Sequence, residues 1–161
     1  DTGEQTRAVV QLQGSELRPS AYQIEVTGDD RMNITGRSAG NRFRATIVST
    51  SGEQMREYLV DDAAVILDDG ITHQHYFIAA SIDDAGRIPV IVPRQSRQVT
   101  ATVRREGTEA ILLDGRQVQG HRITVSLSGM DNRTFWVDDR NRVLRLHIPQ
   151  QDLTAERTSL P

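Results

Sequence analysis

The chain holds one close histidine pair, His73 and His75, separated by Gln74. On a strand, positions i and i+2 share a face and can chelate a metal. On a helix they diverge by about 200° and cannot. The residues around the pair read as a helix, so both histidines are expected to be structural and no metal site is expected. Acidic pairs occur between strands, four of them at Asp61-Asp62, Asp68-Asp69, Asp83-Asp84 and Asp138-Asp139. A calcium loop needs ligands at alternating positions, a central glycine and a distal glutamate. None of the four pairs has that setting, and aspartates between strands serve as turn and cap residues. His121 and His147 fall on polar-facing strand positions and are expected to be solvated. No nucleophile elbow, zinc-protease, phosphate-loop or dinucleotide motif is present. Asn33-Ile34-Thr35 and Asn132-Arg133-Thr134 match the glycosylation pattern, by chance if the source is bacterial. The reading is a protein without catalytic residues or cofactor.

The arginines carry the remaining chemistry. All 19 basic residues are arginine. Its planar fork holds carboxylates and phosphates bidentately and suits interfaces, although a GC-rich genome also favours it. Arg42 and Arg44 share one strand face. Arg94 and Arg97 flank a turn, and Arg104 and Arg105 precede an expected turn at Glu106-Gly107. Arg140, Arg142 and Arg145 crowd the last hairpin. A solvated outer face is the default reading; a docking surface for a partner or for lipid headgroups is the sharper one.

The elements that must position these residues are mostly strands. Apolar residues skip every second place in Ala8, Val10, Leu12; in Tyr22, Ile24, Val26; in Met32, Ile34; and in Phe43, Ala45, Ile47. The same holds for Val99, Ala101, Val103 and for Ile123, Val125, Leu127. This is the pattern of antiparallel strands with one face on a core and one in water. Turn residues recur about every ten positions, as in a meandering all-β domain. The segment 67–81 departs from the alternation. Asp68 or Asp69 offers a cap, and Ile71, His75 and Ile78 fall at helical spacing with Phe77 beside them, predicting a short helix from Gly70 to Ala80. In "RIPVIVPR", Pro89 and Pro93 bracket three aliphatic residues, which predicts a short edge piece or an extended connection.

Near the end, "FWVDDRNRVLRLHIPQQDLTAER" reads as two strands around a tight turn, then a run leading off the sheet. The turn admits two registers. In a three-residue loop Asp138 opens a type I turn and Asn141 takes the left-handed conformation with a bulge. Trp136 then pairs with Leu144 and shares the face of Leu146 and Ile148. A two-residue loop would bring Phe135 and Val137 to that face and expel Trp136. The tolerance of asparagine for positive φ, and the apolar area of a buried indole at roughly 25 cal/mol per Å², select the first. The opposite face then carries Phe135, Val137, Val143, Arg145 and His147, and from it Phe135, Val143, Arg145 and His147 are taken with Arg140 and Arg142. These six residues are the candidate partner-contact face. Ile71, His75, Phe77 and Ile78 are the candidate residues of a helix against a cavity.

With 161 residues and no cysteine, a single domain over 1–161 is expected, with residues 158–161 as a loose tail. A chain this long needs no disulfide or metal for stability. The net charge of −3 argues against a general nucleic-acid binder. No apolar run approaches the roughly 20 residues of a membrane helix. The chain starts at Asp1, as expected of a mature chain after signal cleavage or of a trimmed one.

Several stretches together resemble the LolA-like superfamily of periplasmic lipoprotein-localisation factors and their uncharacterised relatives. They are "LRPSAYQIEV", "MREYLV", "AVILDDGITHQHYFIA", "IPVIVPRQ" and the terminal stretch quoted above. The resemblance implies a mainly β fold: a strongly curved antiparallel sheet, a half-barrel, with helix 70–80 plugging its concave face. It also implies export across the inner membrane. Members share no catalytic residues, so it carries none onto this chain. The expected function is therefore a non-catalytic, exported, periplasmic binding module. It would be an accessory or stabilising subunit docking on another protein in a membrane-associated complex. The alternative is a carrier or sensor of a lipid or other lipophilic molecule in the half-barrel.

Overall fold

The computed structural model describes residues 5–14, 18–60 and 64–158. The Asp61-Asp62 pair and the last three residues of the expected tail lie outside them. Strands make up most of the molecule, with one short helix. The first five strands are β1 (Gln5–Gln13), β2 (Arg18–Thr27), β3 (Met32–Ala39), β4 (Arg42–Ser49) and β5 (Gly52–Leu59). They form one sheet in the order of the chain. A second sheet of seven strands, curled into a half-barrel, has the order β12-β11-β10-β9-β8-β7-β6. Its members are β6 (Val65–Ile66), β7 (Ala85–Val92), β8 (Arg97–Leu113), β9 (Arg116–Leu127), β10 (Arg133–Val137), β11 (Val143–Ile148) and β12 (Leu153–Glu156). Its one parallel pair among those described is β6 with β7, whereas the sequence led to an all-antiparallel expectation. The chain clusters into two compact units, 1–71 with 89–98 and 72–88 with 99–161.

In the first unit the alternation read from sequence sets the core. Tyr22, Ile24, Val26, Ile34, Phe43, Ala45 and Ile47 line one face of the meander and pack with Tyr58, Ile66, Ile71 and Ile91. Glycine is required at position 36, because any Cβ there would collide with the ring of the fully buried Phe43. Pro89 does not demote its strand to an edge: β7 lies between β8 and β6, and Pro89 just precedes the residues that pair with β6.

In the second unit the helix is shorter than expected. A 3₁₀ turn over Thr72–Gln74 leads into α1, His75–Ala80. Gly70 precedes both, with φ +78°. No side chain caps α1 at its start; the carboxylate of Asp68, an expected cap, bonds Tyr22 and the Arg94 amide instead. Ile78 and Ala79 of α1 are fully buried, and the His75 ring meets Phe135 of β10 edge-on at 5.1 Å. Glu106-Gly107 is not a turn. It lies within the unbroken 17-residue β8, where the pairing with β9 shifts between Arg105 and Gly107. Gly107, at φ +109°, supplies the backbone that such a bulge needs.

The last hairpin keeps the expected loop but not the expected faces. Asn141 N–H donates to the Asp138 carbonyl at 2.9 Å, Asp138 N–H donates to that of Arg142, and Asn141 has φ +59°. Val137 then pairs with Val143, but Trp136 pairs with Arg145. Leu144 is the extra residue of a second bulge, and the slip inverts everything beyond it. Phe135 and Val137 therefore join Leu146 and Ile148 as fully buried residues, and Trp136 is only half-buried. The indole packs over Gly120. Its Nε1–H donates to Glu109 at 2.5 Å, and the Arg145 guanidinium lies 5.8 Å from the ring centre. An indole N–H needs a partner when it is covered, and here a surface carboxylate provides one. The run after β11 does not leave the sheet. It turns at Pro149–Gln151 and returns as β12, paired with β11.

That turn has a counterpart in the first unit. Val92-Pro93 and Ile148-Pro149 each open a 3₁₀ turn closed by a residue at positive φ, Ser96 at 52° and Asp152 at 47°. Non-glycine residues there cost about 1–2 kcal/mol, partly offset in glycine by its greater unfolded freedom. Asp152→Gly is thus expected to raise stability by about 0.5–1 kcal/mol in urea unfolding.

Candidate functional site

Of the six residues expected to form a partner face, Phe135 is in the core and is removed from it by the bulge at Leu144. Arg142 and Arg145 are engaged locally. Arg142 Nε donates to Asp138 at 2.6 Å. Arg145 Nε donates to Glu156 at 2.8 Å, and its Nη2 donates to the Leu112 carbonyl. His147 Nδ1 lies 3.1 Å from the Thr154 hydroxyl. Arg140 is exposed and Val143 half-buried. The hairpin has largely satisfied its own charges. Burial raises the Asp138 carboxyl, but the Arg142 amide and guanidinium and the Arg140 amide outweigh it and hold it below its usual value.

The plug residues divide similarly. Ile71, His75 and Ile78 are buried as their spacing predicted, whereas Phe77 is half-buried with its ring edge against Tyr76. His75 Nδ1 lies 3.0 Å from the Thr72 carbonyl and His73 is exposed, so the pair does not converge. No group of three or more metal-ligating side chains forms among the described residues. His121 stands between the Thr108 hydroxyl, 2.9 Å from Nδ1, and Asp139, 2.8 Å from Nε2. A hydroxyl, an imidazole and a carboxylate in line have the order of a catalytic triad. Here the Asp139 side chain is 97% exposed, so water competes for it and it cannot hold the ring rigidly. This relay is a surface hydrogen-bond chain.

The first unit carries the more distinctive surface. Register fixes its outer face. Opposite the buried Phe43, Ala45 and Ile47 point Arg42, Arg44, Thr46 and Val48. On one side Arg37 pairs with Arg44 and Thr35 with Thr46. On the other, Glu57 pairs with Arg44 and Leu59 with Arg42. Arg37 and Arg44 thus oppose each other directly, and like charges so placed are destabilising. Glu57 answers two of the three guanidiniums. Its Oε2 accepts from Arg44 at 2.9 Å and its Oε1 from Arg42. Hydrogen bonds from Arg44 and then Arg42 hold its carboxyl below the usual range. Arg37 is exposed and forms no ion pair among the described residues. An open depression of about 340 Å³ lies among Arg37, Arg42, Arg44, Thr46 and Glu57.

Beside this patch lie three large apolar side chains of the same face, Met55, 64% exposed, Leu59, 60%, and Val48, 46%; Val9, 43% exposed, stands apart on β1. Scattered exposed apolar residues need no explanation, but a cluster rimmed by polar groups marks an interaction site. Sequence reading singled out Arg42 and Arg44 but missed Arg37, Met55 and Leu59. Arg37 becomes visible only when β3 is registered against β4, and β5 shows one buried residue, Tyr58, in eight, too few for an alternation.

Comparison with protein-family models, with characterised proteins and with solved structures finds no match. No helix among the described residues is long and apolar enough to cross a membrane.

Proposed function

We propose that this chain is a non-catalytic, exported binding module. It serves as an accessory subunit that docks on a membrane-associated protein complex through the outer face of the β1–β5 sheet. One observation carries the reading: exposed Met55, Leu59 and Val48 lie beside three neighbouring arginines of the same face, of which Glu57 answers two. Arginine is enriched among the energetic centres of protein interfaces, and arginine and methionine are both enriched in interface composition. Positive charge is in excess locally, at Arg37 and Arg44, on a face that also carries Arg7, Glu25 and Glu53, which calls for a partner surface that is acidic at that point and partly apolar beside it. Placement in the periplasm rests on the resemblance to the LolA-like superfamily. The alternative of a lipid carrier draws less support, because α1 meets the sheet through buried Ile78, Ala79 and the His75–Phe135 ring contact, where a ligand would need space.

Charge reversal at Arg44 combined with Met55→Asp tests the proposal. Both positions are exposed, and reversal at Arg44 exchanges its pairing with Glu57 for one with Arg37, so the melting temperature should hold. Quantitative cross-linking on intact membranes should identify one complex whose capture falls at least tenfold in the double variant and weakens with salt, as screened charges require. An unchanged cross-linking profile would refute the docking face.

A further inference from the structure

The row of residues across the sheet at Arg44 is incomplete in one direction. Reading from β5 to β2, the directly paired residues are Glu57, Arg44, Arg37 and Ala21. Arg44 has a carboxylate on one side and a like charge on the other. Arg37 has a like charge on one side and, on the other, a methyl group. Directly opposed charges of opposite sign stabilise a sheet, and like charges destabilise it. The position facing Arg37 is therefore where a negative charge would give most, and the chain places its smallest chiral side chain there. Above Ala21 lies a second open depression, about 130 Å³, bordered by Gln11, Gln23, Thr35 and Arg37. Arg37 borders both depressions. A guanidinium turned from Arg44 towards Ala21 would relieve the repulsion. The two glutamine side chains and the threonine hydroxyl add neutral hydrogen-bond donors, enough for an oxygen not held by Arg37.

We propose that the depression over Ala21 receives a carboxylate side chain of the acidic partner, with Arg37 as its anchoring residue. This rests on the docking face proposed above. The carboxylate is favoured over a phosphate because the sheet already shows the arrangement it would copy. Glu57 sits against Arg44 and Arg42 as a carboxylate between guanidiniums. The ligand would take the corresponding place beside Arg37. In that state the Arg44–Arg37 pair is flanked by a carboxylate on each side, and the like-charge repulsion is offset. A bidentate arginine–carboxylate contact also fixes orientation, which a purely apolar patch would not.

Three variants decide it: Arg37→Met, which keeps the aliphatic stem; Ala21→Glu, which supplies the missing carboxylate from within; and Ala21→Gln as a size control. The probe is a fluorescein-labelled hexaglutamate peptide, followed by anisotropy at low salt. Wild type and Ala21→Gln are expected to bind it saturably. Arg37→Met and Ala21→Glu are expected to lose at least tenfold in affinity, and Ala21→Glu should melt at a higher temperature than Ala21→Gln. Retention of affinity within twofold in Arg37→Met, or a lower melting temperature for Ala21→Glu than for Ala21→Gln, would overturn the proposal. So would displacement of the peptide by inorganic phosphate at lower concentration than by free glutamate, which would assign the depression to phosphate. If Arg44 reversal with Met55→Asp abolishes cross-linking to the complex while Arg37→Met and Ala21→Glu leave it intact, the carboxylate site fails and the docking face stands. If none of these variants affects cross-linking, both fail.

Discussion

Phe135→Ala is expected to destabilise the chain by about 3–5 kcal/mol, the cost of emptying a fully buried aromatic site. Trp136→Ala, its larger neighbour, is expected to cost only about 1–2 kcal/mol. The contrast follows from the bulge at Leu144. Phe135 is 0% exposed and meets the His75 ring, so its removal leaves a hole under α1 that the sheet cannot close. Trp136 keeps one flank in water. It would forfeit the bond to Glu109, the Arg145 contact and part of the small cluster of Ile111, Leu113 and Leu144. Urea unfolding of the two variants separates the registers. If Trp136→Ala proves the costlier, the hairpin is in the register without the second bulge.

A second large effect is expected from pH. Asp68 is completely buried, and burial pushes its carboxyl up to about 6, although the Tyr22 hydroxyl at 2.5 Å and the Arg94 amide at 3.0 Å favour the charged form. The Arg94 guanidinium also lowers it and Asp69 raises it, both less strongly. A carboxyl raised from 3.8 on folding binds its proton more tightly in the folded state. The stability that this proton confers is fully present below about pH 4 and is lost as pH rises through about 6, a change on the order of 3 kcal/mol. Asp68→Asn holds the site neutral throughout. The variant should therefore gain on the wild type by that amount between pH 4 and pH 7.5, and then run parallel to it. Urea midpoints measured over this range check it; a constant difference would show that Asp68 does not change its proton affinity on folding.

The strands of the first unit were legible because a half-buried strand must alternate, and Tyr22, Ile24, Val26 or Phe43, Ala45, Ile47 do so without interruption. The hairpin loop was legible for an equally local reason: Asp138 and Asn141 satisfy a type I turn followed by positive φ whatever surrounds them. The bulges were not. One extra residue at Leu144 or near Gly107 leaves no periodic trace, yet each changes which side chains face inward. The tolerance of Asn141 for positive φ pointed to the right loop, but buried area favoured Trp136 over Phe135 for the inner face, although an indole also needs a partner for its N–H. Asp68 illustrates the other gap. Its bond to Tyr22 spans 46 positions, and a residue suited to capping a nearby helix was claimed by distant groups instead. The proposed site lay in between: Arg42 and Arg44 stood out as neighbours on one strand, while Arg37, the residue that makes the patch unbalanced, needed the pairing of two strands to be seen.

The bulge in β8 aims Arg105 at three segments at once. Its guanidinium donates to the Ala79 carbonyl at 2.8 Å, to that of Ile82 at 3.4 Å and to the Asn141 side chain at 2.8 Å. A six-residue helix has too few internal bonds to persist unaided, so α1 depends on this grip at its negative end. The same grip ties it to the tip of the hairpin. Helix and hairpin tip are accordingly expected to open and close as one cooperative unit, so that a helix too short to persist alone inherits the lifetime of a sheet hairpin.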